Sequence, residues 1–537
     1  MHRRGLVVGA LLALALTAAA CGSSGGDGTG TGSAGSGGAG ATSPAGGGGG
    51  ETSGGSSAPT ELRVAMALMP KGPSLDPMLN TYSNPEFTNI YDALTQLDSK
   101  GQIQPDLATE WKNVNPTTWE FTLRSNVTFQ NGEEFTADDV KYSFDRIKDP
   151  ANKSPKAVQI SEVSEVKVVN PTTVQIITDE PDAALPAGLT LVQIVPKDLI
   201  EKIGNEAFAQ HPVGTGPFKF VEWVKDSRIV LEANKDYWAG PPGVDKVTFL
   251  SAPEASTRVA MLMNGEADLV EQILNTDVPR IEADSNLQII KGESTYTNYI
   301  AINTHKEPFT DVRVRQAMAY AIDMDTIIKN ITGGNGSRIN ISISHLDFGY
   351  NKDLPPRPYD PDKAKQLLAE AGYGPGGKAF PPIKIDVGTG RQPYNISITQ
   401  AIAGYWTDAG MPASVNVMES AAEFEKYVSG KATLIYNGTR SNSADAGEKF
   451  SLIYYSKARG FYWSTPEMDK MVLEAAAEMD PAKRAAMYQE MSQIVYDAVP
   501  DIPILDTIDV FGASAKLAWD GEAADGSIPL WSAKMGS

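Results

Sequence analysis

From Thr60 onward, stretches in which apolar and polar residues alternate are interleaved with stretches in which apolar residues recur every three to four positions. Interleaving a two-residue with a 3.6-residue period predicts an α/β fold, since an all-helical bundle or a sandwich would use one period only. Trp119, Phe121 and Leu123 alternate with Glu120, Thr122 and Arg124, and Ile229, Leu231 and Ala233 repeat the pattern, so both predict strands with one buried face. Thr310 or Asp311 predicts the cap of a helix that places Val314, Ala317, Met318, Ala321 and Ile322 on one face and ends at Gly333 and Gly334. Asp360 as cap with Pro361 in the first turn predicts another helix, burying Ala364, Leu367, Leu368 and Ala371 and stopping at Gly372. A long helical pattern covers about 466 to 496.

The 537 residues are too many for one ordinary domain, and the first 59 read as outside any core. Met1-His2-Arg3-Arg4 is a basic start and Gly5 to Ala19 an apolar stretch, the pattern of a signal peptide. It runs into Thr17-Ala18-Ala19-Ala20-Cys21, which resembles the lipobox of bacterial lipoproteins and predicts that Cys21, the single cysteine, carries a lipid anchor. With one cysteine the exported body folds without a disulfide. Residues 22 to 59 are almost all Gly, Ser, Ala and Thr, so they predict a flexible leash with a root-mean-square span of about 35 Å. Gly22-Ser23-Ser24-Gly25-Gly26 formally fits GxSxG, but a nucleophile elbow needs a strand before it and a helix after it, and the leash offers neither.

The formal charge is −20; losing Arg3 and Arg4 with the leader leaves 44 of the 46 basic residues against 66 acidic ones, a net of −22. Such a surface argues against nucleic acid as a partner. A secreted hydrolase finds no support: HExxH and GxxxxGK[ST] are both missing. His211, His305 and His345 are too far apart in sequence to share a helix turn, so no histidine metal site and no cofactor is predicted. The acid pairs Glu133-Glu134 and Asp138-Asp139 could serve as general acid and base, but Thr136 reads better as a helix cap with Asp138 and Asp139 in the first turn.

The stretch HPVGTGPFKFVEW, residues 211 to 223, raises a phosphate-loop reading through Gly214 and Gly216. Pro217 removes a backbone N–H such a loop would use, and the following residues alternate as a strand instead of opening a helix. The glycines are expected instead to supply positive φ at a crossover between lobes.

Several stretches, in order along the body, carry a resemblance. They are Ser74-Leu75-Asp76-Pro77, PDLATEW at 105–111, WEFTLRSNVTFQNGEEFTADDVKYSFDRI at 119–147 and PVGTGPFKFVEW at 212–223 followed by RIVLEANKDYW at 228–238. TRVAMLMNGEADLV at 257–270, YIAINTHKEPFTDVRVRQAMAYAID at 299–323 and YDPDKAKQLLAEAGY at 359–373 complete the series. Together they resemble the family 5 extracellular solute-binding proteins, the peptide and nickel receptors of bacterial ABC importers.

The resemblance implies a two-lobed type II periplasmic-binding-protein-like α/β fold with an additional inserted lobe. Lobe I is expected over 60–93, 214–305 and 505–537, lobe II over 94–213 and lobe III over 306–504. It implies a monomeric, lipid-anchored receptor on the outer face of the cell membrane that closes over a small solute and delivers it to an ABC permease with its ATPase subunits. A di- or oligopeptide is the default solute. A sugar, an amide or a metal complex, or a role as a sensor-linked module, is the alternative. The cleft is expected to be lined by Tyr82 and Asn84, by Tyr296 and Asn298, and by Asn437, Arg440, Asn442 and Asp445, with Arg391 as a partner for a ligand carboxylate. Peptide receptors of the family place an aspartate in a Trp-x-x-Asp-Tyr setting to pair with the ligand's ammonium group; here Asn442 stands near that place and Asp445 follows three residues later.

Overall fold

The structure is a computed structural model that describes residues 59–69, 74–79, 85–390 and 393–536. The leader, Cys21 and the leash lie outside the described residues, as do Tyr82, Asn84 and Arg391. Fourteen strands are used below: β1 (Glu61–Met66), β2 (Ala108–Asn115), β3 (Thr118–Leu123), β4 (Val163–Asn170), β5 (Thr173–Thr178), β6 (Phe218–Val224) and β7 (Arg228–Ala233). They continue with β8 (Lys246–Ser251), β9 (Leu269–Val270), β10 (Leu287–Ile302), β11 (Ile383–Gly388), β12 (Ala413–Met418), β13 (Leu434–Thr439) and β14 (Asp501–Ser514).

One mixed sheet runs in the order β12-β11-β13-β10-β14-β9-β1-β8-β7-β6, and a separate antiparallel sheet runs β2-β3-β5-β4. Three apolar cores follow from them. One centres on Leu62, Val64, Phe218, Leu231, Phe249 and Phe511, a second on Phe121, Phe144, Val174 and Ile176, and the largest on Ile300, Ile302, Trp406, Leu434 and Ile504. Two long antiparallel strands, β10 and β14, pair along the middle of the mixed sheet. Glu293 still pairs with Ile508, the next pair is Thr297 with Asp506, and so three residues of β10 oppose one of β14. A bulge of this kind breaks the ladder and bends the strand at 294–296.

Several sequence readings are corrected. The helix expected from 311 to 332 is two helices, Val312–Tyr320 and Met324–Ile331, because Asp323 accepts the Thr326 N–H and starts a new one. The pattern over 466–496 is also two helices, Pro466–Ala477 and Pro481–Ala498, since Asp480 caps the second ahead of Pro481. Gly214 and Gly216 have no positive φ. They are glycines because a Cβ at Gly214 would stand 2.1 Å from the Ile90 carbonyl oxygen and one at Gly216 2.6 Å from the Ile90 carbonyl carbon. Gln130 ties the crossover down, accepting the Gly214 N–H at 3.0 Å and donating to the carbonyls of Ile90, Gly216 and Phe218.

Helix Ala137–Lys148 begins as expected: the Asp139 carboxylate accepts the Thr136 N–H at 2.9 Å. Its Arg146 forms a buried ion pair with Asp76 of the SLDP stretch, pinning lobe II onto lobe I. Helix Pro361–Glu370 is capped by Asp360, whose carboxylate accepts the Lys363 N–H at 2.8 Å. Among the described residues no helix is long and apolar enough to cross a membrane.

Candidate functional site

The bulge turns Tyr296 out of the ladder, and Arg440 follows directly on β13, so the two meet where lobes I and III join. The guanidinium lies 5.8 Å from the Tyr296 ring centroid, and its Nη2 is 3.4 Å from Asp509 Oδ2 on β14. Enclosed on most sides, Arg440 and Asp509 still keep 24% and 23% of their side chains accessible, as groups on the floor of a cleft do. The C-terminal segment 522–527 lies against them. Its Ala524 carbonyl accepts from Thr295 of β10, and Gly526 leaves room for the guanidinium, since a Cβ there would come within 1.8 Å of Nη1.

This floor is acidic. Burial first, and then the neighbouring Asp509, push the Glu522 carboxyl well above the usual range. Burial also raises Glu271, which accepts the Ala67 N–H at 2.6 Å. Burial works against the charge of Arg440, but Asp509, Glu522 and Asp525 outweigh it and hold the guanidinium pKa above its ordinary value. The arginine is thus already matched by carboxylates, and the floor as a whole favours a cation.

Tyr296 also lines a narrow crevice with Asn437, Gly438 and Tyr436. Asn298 is buried with both ends used: it donates to Thr507 Oγ1 at 2.9 Å and accepts from Tyr436 at 3.0 Å. Asn437 donates to the Tyr299 hydroxyl at 3.1 Å. Asn442 gives its backbone and side-chain N–H groups to Glu448 at 2.9 and 3.1 Å. Asp445 caps helix Ala446–Ile453 through the Gly447 N–H and pairs with Arg484 at 3.2 Å, leaving 3% of the residue exposed. The structure therefore gathers Tyr296, Asn298, Asn437 and Arg440 about the floor and commits Asn442 and Asp445 to a helix start behind it. Asp509, Glu522, Asp525 and Glu271 escape the sequence reading. The one signal for Asp509 was an acid within the otherwise apolar run Val510-Phe511 and Ile508 of β14.

Lobes II and III touch across the cleft. Ala183 N–H donates to the Ala476 carbonyl at 2.9 Å, and the Thr190 hydroxyl donates to the Asn442 carbonyl at 3.3 Å. Asp182 is enclosed there, and burial together with the charge of Asp445 pushes its carboxyl up to about 6, against the pull of Arg484. His211 packs edge-on against Phe220 and His305 against Phe461, while His345 sits beside the bulge. Among the described residues no three His, Cys, Asp or Glu side chains are placed to hold a metal ion.

A sequence model described as bacterial extracellular solute-binding proteins, family 5 Middle, matches residues 102–461. The chain belongs to that family. The family 5 receptor is 29% identical over 442 residues to the dipeptide-binding protein of Escherichia coli (strain K12), a match covering 75% of this chain and 81% of that protein. It is 30% identical over 458 residues to heme-binding protein A of Haemophilus influenzae, covering 80% and 83%. Among solved structures it resembles the ABC transporter-associated periplasmic binding protein DppA from Helicobacter pylori in complex with peptide STSA, at 25% identity and a TM-score of 0.74 over 89% of this chain and 99% of that one. These family 5 relatives are solute-binding proteins, and their two-lobed α/β fold is the fold described above.

Proposed function

We propose that this family 5 protein is the lipid-anchored receptor of an ABC importer and that its solute is a small peptide with a free ammonium end. The observation that carries the reading is the pair of carboxylates Asp509 and Asp525, which outnumber the one cation Arg440 between them, with the Glu522 carboxyl beside Asp509. Asp445 is spent on a helix cap and Arg484, so the anion for an ammonium group comes from β14 and the C-terminal segment. An ammonium group held by Asp509 gains a charge-assisted hydrogen bond in a setting poorer in water than bulk. The dipeptide-binding relative and the peptide-bound Helicobacter structure favour a peptide over other solutes.

The action is non-catalytic. A solute that touches both sides of the cleft binds the closed arrangement better than the open one and shifts the population toward closure. Micromolar affinity requires about 8 kcal/mol in total. Cys21 and the leash hold the body near the permease while leaving it free to turn.

Native mass spectrometry of the purified protein tests the solute: a co-purified di- or oligopeptide supports the reading, and a sugar, heme or metal complex replaces it. Replacing Cys21→Ser tests the anchor, and protein that stays with the membrane after that change argues against it.

A further inference from the structure

Beside the cleft floor lies a cavity of about 180 Å³ whose walls include Asp92, Asp106, Asp525, Tyr237, Trp238 and Trp531. Among the described residues lining it there is no Lys, Arg or His. Asp525 lies more than four hundred residues from Asp92 and Asp106, so the fold has brought the three carboxyl groups to one place.

Each carboxylate is nearly buried, at 6% exposure. Asp92 accepts from the Tyr237 hydroxyl at 3.2 Å and from Trp238 Nε1 at 2.9 Å. Asp525 accepts the Ser527 N–H at 3.0 Å and its hydroxyl at 2.7 Å. Asp106 gives one oxygen to the Ala93 N–H at 2.8 Å, and no donor among the described residues reaches the other. Burial, then the charge of Asp92, pushes the Asp106 carboxyl well above the usual range. Three cations stand around the cavity: Arg440 feels the charge of Asp525, Lys156 donates to Gln193 Oε1, and Arg124 has its Nε held by the Asp106 backbone carbonyl at 2.6 Å and its guanidinium 4.1 Å over the Trp238 ring. Tyr237 and Trp531, with ring centroids 6.1 Å apart, add two further aromatic faces. Aromatic faces beside the Asp106 oxygen that no described donor reaches suit an organic cation, through the ring quadrupole and, once that carboxyl gives up its proton, a charge-assisted hydrogen bond.

Two wall residues relate the cavity to the cleft. Asp525 lines it and also acts on Arg440, and Thr190 lines it while donating to Asn442 across the closing lobes. We infer that this cavity is a second subsite of the cleft that takes an organic cation, the ammonium or guanidinium side chain of a Lys- or Arg-bearing peptide. The identity of the solute as a peptide rests on the function proposed above, whereas the preference for a cation does not.

Calorimetric titration of the full protein, freed of co-purified solute, with Ala-Ala, Ala-Glu, Ala-Lys, Ala-Arg and agmatine tests this. Ala-Arg and Ala-Lys are expected to bind about tenfold or more tighter than Ala-Ala, with Ala-Glu weakest. Trp531→Leu should shrink that ratio to about threefold or less and leave Ala-Ala unchanged, while Trp531→Phe, which keeps a ring and equally loses the bond to Gly240, should retain most of it. Equal affinity of the wild type for Ala-Ala and Ala-Arg overturns the subsite and leaves the peptide receptor standing. Binding of agmatine with no dipeptide bound supports the subsite and overturns the peptide reading. Binding of neither overturns the subsite as well.

Discussion

His345 Nδ1 and Asp506 Oδ2 meet at 2.7 Å beside the bulge, and the far side of the imidazole, Nε2, stands 3.5 Å from Glu293 Oε1. Asp506 belongs to β14 and Glu293 to β10, so one ring joins the two long paired strands. The hydrogen bond to Asp506 leads in raising the imidazole pKa against the effect of burial. Burial keeps Asp506 itself above the usual carboxylate range, and the imidazole offsets that only in part.

A histidine whose pKa is raised by folding stabilises fully below its ordinary pKa, near 6.5, and the contribution fades as pH rises through the raised value. With 32% of the side chain exposed, solvent screens it to about 1 kcal/mol. His345→Ala is therefore expected to lower the thermal midpoint by about 2 °C at pH 5.5 and by less at pH 9, read from melts of both proteins across that range.

Asp182 gives the closing interface the same sign through an acid. A carboxyl raised to about 6 where it is enclosed beside Asp445 makes that contact most favourable below its ordinary pKa, with the advantage lost as pH rises through about 6. Small-angle scattering with bound solute should show the compact form weakening from pH 4 to pH 7 in the wild type. Asp182→Asn, which cannot ionise, should flatten that change.

Arg440→Met strands the carboxylates of Asp509 and Asp525 without their cation. Because about a quarter of the side chain is accessible, the cost is expected near 2 kcal/mol rather than the larger figure for a fully buried pair. Adding Asp509→Asn should recover part of that loss, measured as a double-mutant cycle in urea unfolding. Strict additivity of the two changes would refute the coupling.

The crossover glycines make a steric prediction. Gly216→Val drives a side chain into the backbone of Ile90 and is expected to cost about 3 kcal/mol or more. Gly188→Ala, in a helix with nothing within 4 Å of the added Cβ, should be neutral or stabilising by about 0.5 kcal/mol. Thermal melts of the two variants separate close approach from the general loss of a glycine.

Local signals were read where the cause was local. Asp360 with Pro361 and Thr136 with Asp139 start their helices through bonds to residues three positions on, so spacing alone reveals them. Asp323 and Asp480 carry the same cap chemistry, and they were passed over because the apolar period continues through them. Gly214 and Gly216 were recognised as crossover glycines, but the reason for them is Ile90, more than a hundred residues away, and no neighbouring residue reports it.

By itself the sequence determined the α/β class through its two apolar periods, the family through an ordered series of motifs, and the likeness to a lipoprotein leader through the single Cys21. Each of these lies in short segments of chain. The tertiary structure decided which charges face the cleft. Arg440 and Asp509 are 69 residues apart, and Asp92 and Asp525 lie at opposite ends of the body. An electrostatic site is a sum over distances in space, and those distances exist only once the chain has folded.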